Sequence, residues 1–338
     1  MPAQYTHQLI AERTLAALPA PLREKISSFA AFCLGAQGGD VFYFLRVRGG
    51  KGKNFGRFMH SGDVFSVFES FYEALLSRPS AQAFSYVAGY ISHYAADTLF
   101  HPFVYGLMER FAAAEPRWKG KRHVYIESDL DSHFIAVREG IPVSRYESPV
   151  RRAEISLDEL YPLLLGVSER AGCVAFSRRA FRCAVRRFFF FEKLCGDRKG
   201  RRRAFWNGTE RLFRLPHVFS LLCRRDVPDA RCLNREEGEW HNPSAPDQRS
   251  CESADALFDR AVAEGARLIA LFADCLERGA PLPREEFSKG FLTAAPAGVK
   301  LVTPAPSVPK RKKKKMRPAA CTAKKVAGRL AFQPFSLL

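Results

Sequence analysis

Residues 88–104 read AGYISHYAADTLFHPFV and place His93, Asp97 and His101 at intervals of four residues. Because four residues turn an α-helix through about 400°, these three side chains project from one helix face. Imidazole and carboxylate groups are the nitrogen and oxygen ligands that zinc accepts in proteins. The stretch therefore predicts a helix that presents metal ligands along one side.

Further candidate ligands lie on both sides of this helix. His123 and Glu127 repeat the four-residue interval, while His7, Asp40 and His60 occur in YTHQLIAE, QGGD and RFMH. Each residue alone has an ordinary interpretation, since a single histidine is usually a hydrogen-bonded surface or core residue. Asp40 after two glycines fits a turn or an N-cap equally well. The prediction therefore depends on the combination of five histidines and three carboxylates.

This ligand set suits zinc or manganese better than a metal that prefers thiolates. Eight side chains exceed the needs of one tetrahedral ion, so we expect two or three ions that share a carboxylate. Clustered ions of this kind bind a phosphate ester and lower the pKa of a coordinated water toward about 7. The composition of the cluster thus favours hydrolysis of a phosphate ester.

The order of these motifs resembles that of the zinc-dependent phospholipase C family. The shared segments, all in this numbering, are MPAQYTH at 1–7, LGAQGGD at 34–40, MH at 59–60, the block at 88–104, HVYIE at 123–127 and, more weakly, EWHNP at 239–243. The resemblance implies an all-α fold with three zinc ions in a cleft and cleavage of phosphodiester bonds, with phospholipid as the favoured substrate.

The resemblance also implies a role for each candidate residue. The three implied zinc sites are His60, His93 and Asp40; His101, His123 and Glu127; and His7 with the N-terminal amine and carbonyl, with Asp97 bridging the first and third. Asp40 and Glu127 become the candidate catalytic residues, and Asp40 is the candidate general base.

The sequence departs from the secreted members of this family at two places. Those members use an N-terminal tryptophan as a ligand, and no tryptophan lies near the start here. Removal of Met1 would leave the amine of Pro2 five residues before His7, so we expect Pro2 to complete the third site. Three residues separate Asp97 from His101, fewer than in the secreted enzymes, and no head-group pocket is assigned.

Apolar residues recur at three- and four-residue spacing, which predicts a single all-α domain over residues 1–289. The predicted helices cover 9–18, 22–32, 64–76, 80–101 (ended by Pro102), 123–138, 157–170, 174–195, 210–223 and 254–278. From residue 290 the chain is rich in Ala, Pro, Lys and Ser, so residues 290–338 are predicted to form a disordered basic tail.

Charge and cysteine content limit the class of protein. The chain has 53 Lys and Arg against 35 Asp and Glu, a net charge of +18, and its last acidic residue is Glu286. Most of the excess positive charge therefore belongs to the tail. No apolar run reaches the length of a membrane span, and the N-terminus lacks the apolar core of a signal peptide. With nine cysteines and no CxxC pair, we expect free thiols in a cytoplasmic protein.

Two basic segments suggest partners. Residues 176–194 form a basic amphipathic pattern typical of helices that bind anionic bilayers, although a core helix with a solvated polar face fits somewhat better. The pattern sets Arg178, Arg179, Arg182, Arg186 and Arg187 against Phe181, Val185, Phe188 and Phe189. The run Lys310–Lys315 fits anionic lipid, nucleic acid or a solvated tail about equally well.

Two alternatives to a phospholipase stay open. Single-strand nucleases with the same three-zinc pattern have a five-residue step from the N-terminal ligand to the first histidine, which matches Pro2 and His7. A non-catalytic, membrane-associated zinc protein is the other alternative. The central block favours the phospholipase, and nucleic acid is the less favoured substrate.

Overall fold

The computed structural model describes residues 4–44, 55–61, 63–114, 123–148, 154–172, 176–195, 197, 200–213, 220, 223–296 and 299–302. Its elements are α1 (Gln4–Ala17), α2 (Ala20–Lys25), α3 (Phe29–Gly35), α4 (Phe55–Ser61), α5 (Val64–Ser77), α6 (Ala81–Ala114), α7 (His123–Glu139), α8 (Leu157–Arg170), α9 (Arg178–Cys195), α10 (Arg201–Leu212), β1 (Trp240–Asn242), β2 (Ala245–Ser250) and α11 (Ala254–Arg278). Short 3₁₀ segments cover Gly38–Phe44, Val143–Arg145 and Ala230–Leu233. The predicted all-α fold is confirmed, because the strands found within these ranges form only one antiparallel pair.

The central helix α6 continues through Pro102, so the predicted helix end at His101 is wrong. A proline inside a helix removes one backbone hydrogen bond and normally disfavours helical geometry before it. Here Phe103 and Leu107, on the far side of Pro102, are fully buried. Packing of this C-terminal half against the core therefore outweighs the local preference for a break.

Two other helix predictions are corrected. The predicted helix 22–32 is divided into α2 and α3, because the Ser28 side chain accepts a hydrogen bond from the backbone N–H of Ala31 and caps a new helix. The predicted start of the helix 210–223 is wrong, since α10 begins at Arg201 and ends at Leu212, while residues 214–219, 221 and 222 of that prediction lie outside the described residues. Asp197 accepts backbone hydrogen bonds from the first turn of α10 and so sets this start.

Helix α6 packs chiefly against α3 and α11. The approach to α3 is unusually close, since a Cβ placed on Gly89 would lie 1.9 Å from the Phe32 carbonyl oxygen. A Cβ on Gly35 would lie 2.0 Å from the Tyr86 carbonyl oxygen. The two glycines therefore let the two backbones touch, which brings the loop after α3 against the buried face of α6.

A buried ion pair holds the start of α1. The backbone N–H and the hydroxyl of Thr6 donate to Asp131 Oδ1 at 2.7 and 2.8 Å. Arg224 Nε donates to the other carboxylate oxygen at 2.6 Å, and its guanidinium lies 4.0 Å from the Tyr5 ring centroid. Asp131 of α7 therefore caps α1 from outside the helix and fixes the turn that carries His7.

The folded region extends past the predicted domain end at residue 289. Phe287 and Phe291 are fully buried, and Gly290 donates a backbone hydrogen bond to Ala295 at 2.9 Å. The described residues all belong to one unit that ends at Ala305. The predicted disorder of the tail after residue 302, including Lys310–Lys315, lies outside the described residues.

The helices that the structure describes include none with the length and apolar content needed to cross a bilayer. The cysteines within this part of the chain are free thiols, and Cys33, Cys223, Cys232 and Cys275 are buried.

We expect Gly89→Ala to destabilise the protein, because the added methyl group overlaps the Phe32 carbonyl and must push α3 from α6. The expected loss in the free energy of unfolding is about 1–3 kcal/mol, measured by urea denaturation. Gly208→Ala in α10 is the matched control, since its Cβ would meet nothing within 4 Å. The control should be neutral or stabilising by up to about 1 kcal/mol. Equal stability of the two variants would contradict the close-contact explanation.

Candidate metal centre

All eight side chains predicted as ligands meet at one buried cluster. They come from five elements: His7 from α1, Asp40 from the 3₁₀ segment after α3, His60 from α4, His93, Asp97 and His101 from α6, and His123 and Glu127 from α7. Six of them are buried, and only Asp40 and His123 are partly exposed.

The carboxylate of Asp97 lies at the centre of the cluster. Its Oδ1 is 3.1 Å from His7 Nε2 and 3.5 Å from His101 Nδ1. Its Oδ2 is 3.3 Å from His93 Nε2 and 3.8 Å from His60 Nε2. One carboxylate thus contacts four imidazoles, as expected for a residue shared between neighbouring metal sites.

The ring of His60 is fixed in one orientation by the backbone. Its Nδ1 lies 2.8 Å from the Gly56 carbonyl oxygen, which can only accept a hydrogen bond, so Nδ1 carries the proton. The Nε2 lone pair of the neutral ring then points at Asp40 Oδ1, 3.3 Å away, and at His93 Nε2, also 3.3 Å away. A lone pair directed at a carboxylate is repulsive unless a cation lies between them.

The spacing of these atoms distinguishes a metal ion from a proton. A proton shared between an imidazole and a carboxylate gives a separation of about 2.7–2.9 Å. Two ligand atoms on one tetrahedral zinc ion, each about 2.0–2.1 Å from the metal, are about 3.4 Å apart. The distance is 3.3 Å from Asp40 Oδ1 to His60 Nε2, from His60 Nε2 to His93 Nε2, and from His93 Nε2 to Asp97 Oδ2. His60 Nε2 and Asp97 Oδ2 are 3.8 Å apart, so the four side chains come close to the spacing of ligands around one zinc ion.

A second group lies at the junction of α6 and α7. His101 Nε2 is 3.7 Å from Glu127 Oε1, and His123 Nε2 is 3.8 Å from Glu127 Oε2. His101 Nδ1 donates to the Phe291 carbonyl oxygen at 3.0 Å, so its Nε2 lone pair also faces a carboxylate. Glu127 Oε2 is buried and has no hydrogen-bond partner among the described residues. This donor set is therefore also suited to a cation.

A third group surrounds His7. Ligand atoms of His7, His93 and Asp97 all lie within 4.8 Å of one another. A small cavity beside them is bordered by His7, Asp97, His101 and Glu127 and otherwise by mainly apolar side chains. Within the described ranges, the buried Nδ1 atoms of His7 and His93 have no hydrogen-bond partner. His7, His93 and Asp97 therefore form a further group of donors suited to a cation.

Burial and mutual attraction shift the ionisation of the cluster. Burial alone would raise the pKa of Asp97, but attraction by His101, His93 and His7 outweighs it and holds that pKa well below its usual range. Burial lowers the pKa of His93 to about 3. Burial also opposes protonation of His7, but the attraction of Asp97 is stronger and raises its pKa. Asp97 is therefore ionised and His93 neutral at neutral pH, which are the forms that bind metal.

The loop that carries Asp40 approaches the histidines closely. Gly38 has a φ of +54°, a left-handed conformation that glycine adopts without strain, and a Cβ there would lie 2.0 Å from His93 Cδ2. A Cβ on Gly39 would lie 2.6 Å from His60 Cε1. The two glycines of LGAQGGD therefore leave room for both imidazoles, so the loop can bring Asp40 beside them.

Sequence reasoning missed the residues that support the ligands. Phe291 accepts the hydrogen bond of His101, and its ring packs 5.3 Å from the ring of His60 and 5.7 Å from that of His93. The ring of Tyr43 stacks on His60 at 5.4 Å, and that of Tyr105 stacks on His101 at 6.0 Å. Tyr43 is close to Asp40 in sequence and could have been suspected, whereas no local signal identifies Phe291.

The two histidines left out of the ligand set are paired elsewhere. His133 Nε2 lies 2.9 Å from Asp255 Oδ1 at the start of α11. His241 Nε2 lies 2.9 Å from Glu109 Oε2. Pro2 lies outside the described residues, so its role as an N-terminal ligand stays a prediction.

Comparison with known families agrees with this site. The family model described as zinc dependent phospholipase C matches residues 6–162, a stretch that contains every side chain in the cluster. The resemblance of the motifs is thereby confirmed, since residues 6–162 are similar to the zinc-dependent phospholipase C family. No curated protein and no solved structure matches the chain.

We expect Asp97→Asn to abolish or strongly reduce zinc binding, because an amide removes the negative charge that contacts four imidazoles. Zinc per chain, measured by elemental analysis on protein purified without chelator, should fall by at least one ion. Asp255→Asn is the control, since it changes the same group beside a histidine outside the cluster. Unchanged zinc content in Asp97→Asn would show that Asp97 is not a ligand.

Proposed function

We propose that the chain is a zinc-dependent phosphodiesterase of the phospholipase C type, with phospholipid as its substrate. The observation that carries the proposal is the convergence of Asp40, His60, His93 and Asp97, whose ligand atoms are separated by 3.3 Å in three pairs and by 3.8 Å in a fourth. The family match over residues 6–162 supports the same chemistry. Zinc held by this cluster would supply Lewis acidity, which polarises the phosphoryl group and makes a water more acidic.

The proposed ligand sets follow the three groups of contacts. One comprises Asp40, His60 and His93, a second comprises His101, His123 and Glu127, and a third contains His7, with Asp97 shared between the first and third. Two to three zinc ions are proposed on this basis. Tautomers fixed by Gly56 and Phe291 support the use of Nε2 as the ligand atom of His60 and His101.

Exposure indicates where substrate reaches the cluster. The side chains of Asp40 and His123 are 15% and 17% exposed, whereas that of Asp97 is 4% exposed. Water and a phosphate ester can therefore approach Asp40 but not Asp97. We infer that Asp40 accepts the proton of the attacking water while Asp97 stays behind it as a structural anion. Glu127, on the side of His123, is the second carboxylate in the proposed catalytic set.

The activity test compares two phosphodiester substrates, phosphatidylcholine and a single-stranded oligonucleotide. Zinc-loaded protein should release the phosphorylated head group and diacylglycerol from phosphatidylcholine in detergent micelles. Asp40→Asn should lower kcat by about 10²–10⁴, the usual contribution of a positioned general base. Asp247→Asn is the control, because Asp247 is an exposed carboxylate in β2.

The zinc content and the substrate that is cleaved distinguish the proposed function from its alternatives. Zinc content of Asp40→Asn measured in parallel shows whether activity is lost with the base or with an ion. Cleavage of a single-stranded oligonucleotide, with no cleavage of phospholipid, would favour the nuclease alternative. Zinc-loaded protein that cleaves neither substrate would contradict an enzyme and leave a structural role for the metal.

A further inference from the structure

Large apolar side chains are exposed on α9, on α10 and at the residue that follows α10. Phe190 is 61% exposed, Phe205 64%, Leu212 77% and Phe213 65%. Phe190, Phe205 and Phe213 are the phenylalanines in the described part of the chain that are more than half exposed. Exposed aromatic and aliphatic groups that recur within one segment commonly mark an interaction surface.

The two faces of α10 are clearly different. On the inner face, the buried carboxylate of Glu210 accepts hydrogen bonds from Ser220, and Arg203 donates to the Cys223 carbonyl oxygen at 3.2 Å. At about 100° per residue, Arg201, Phe205 and Leu212 lie on the opposite side of the helix from Glu210. The outer face therefore carries apolar groups beside an arginine, while the inner face anchors the helix.

Helix α9 has a similar division. Its inner face buries Phe181, Val185 and Phe188 in the core. The exposed residues Arg179, Phe190 and Lys193 lie within about 40° of Arg186 around the helix axis. The outer face of α9 is therefore basic and carries one exposed aromatic ring.

The end of α9 and the start of α10 are held together. Arg202 Nη1 donates to the carbonyl oxygens of Lys193 and Leu194 at 2.7 and 3.1 Å. Asp197 accepts the backbone N–H groups of Arg202 and Arg203 at 3.2 and 2.7 Å. The acidic side chains of Asp197 and Glu210 are thus buried and that of Glu192 is half-buried, so basic side chains dominate the exposed charge of the described part of this region.

These contacts change which side chains of α9 are available to bind a membrane. Phe181, Val185 and Phe188, which the sequence pattern sets against the arginines, lie in the core. Arg178 and Arg182 donate to Asp158 at 3.0 and 2.6 Å. The apolar groups available to a partner are instead those on the outer faces.

We propose that the outer faces of α9 and α10 form a docking surface for an anionic lipid bilayer. This α9–α10 surface consists of Arg179, Arg186, Phe190, Lys193, Arg201, Phe205 and Leu212. Arginines suit the phosphates of head groups, and Phe and Leu side chains can enter the acyl boundary. Nucleic acid fits less well, because Leu212 has no aromatic face on which a base can stack. Docking needs no hydrolysis and is independent of the proposed function.

Vesicle binding of the full-length, zinc-loaded protein tests this surface. The protein should co-sediment with phosphatidylcholine vesicles that contain about 30% phosphatidylserine, but only weakly with phosphatidylcholine alone. The double variant Phe205→Ser/Leu212→Ser should bind at least about tenfold more weakly, because it removes two exposed apolar groups. Leu76→Ser/Val137→Ser is the matched control, since both residues are exposed on other helices.

Charge reversal and a fluorescent reporter provide independent tests. Arg186→Glu/Arg201→Glu should weaken binding to the anionic vesicles by at least about tenfold and reduce its salt dependence. Arg145→Glu/Arg235→Glu, at exposed positions elsewhere, should not. Phe205→Trp preserves an aromatic side chain, and its emission should shift to the blue when the anionic vesicles are added.

Three outcomes would overturn the proposal. The first is that the wild-type protein does not bind anionic vesicles. The second is that it binds them equally well after substitution of Phe205 and Leu212, as expected if the Lys310–Lys315 run alone is responsible. The third is binding of a single-stranded oligonucleotide that depends on these residues, with no emission shift of Phe205→Trp on vesicles. Loss of vesicle binding in both double variants, with both controls retained and unfolding temperatures unchanged, supports it.

Discussion

The structure depends on a buried carboxylate, that of Asp97, surrounded by four imidazoles. Removal of a carboxylate from water is costly unless positive charge compensates it. The free Nε2 of His60 faces Asp40 and that of His101 faces Glu127, because backbone carbonyls hold the Nδ1 protons of both rings, whereas His101 approaches Asp97 through Nδ1. Zinc bound as proposed would compensate these carboxylates, and it would explain why so many ionisable groups can lie inside a helical core.

Close backbone contacts make this arrangement possible. Gly89 lets α3 touch α6, and Gly38 lets the following loop pass against the His93 ring. The ion pair of Asp131 and Arg224 fixes α1 on the other side of α6. The candidate ligands come from five elements, and close contacts of this kind hold those elements against α6. Small residues at the contacts, and not flexibility of the ligands, determine the spacing of the cluster.

The sequence predicts which side chains come together better than it predicts the boundaries of the elements. The four-residue intervals of His93, Asp97 and His101 are a local property of one helix, so the face they share could be predicted. Helix ends are decided by distant packing, and α6 passes Pro102 because Phe103 and Leu107 are buried. The role of Phe291 could not be predicted either, since it depends on the return of the chain after α11. The supporting contacts of the site are therefore tertiary, whereas its ligands follow short motifs.

The position of Phe291 has a consequence for biosynthesis. His7 lies near the beginning of the folded chain, and the carbonyl that holds His101 lies near its end, 190 residues after that histidine. The cluster therefore acquires its final geometry only when nearly the whole folded region has left the ribosome. A nascent chain that stops before residue 291 therefore carries the candidate ligands without the carbonyl that orients His101.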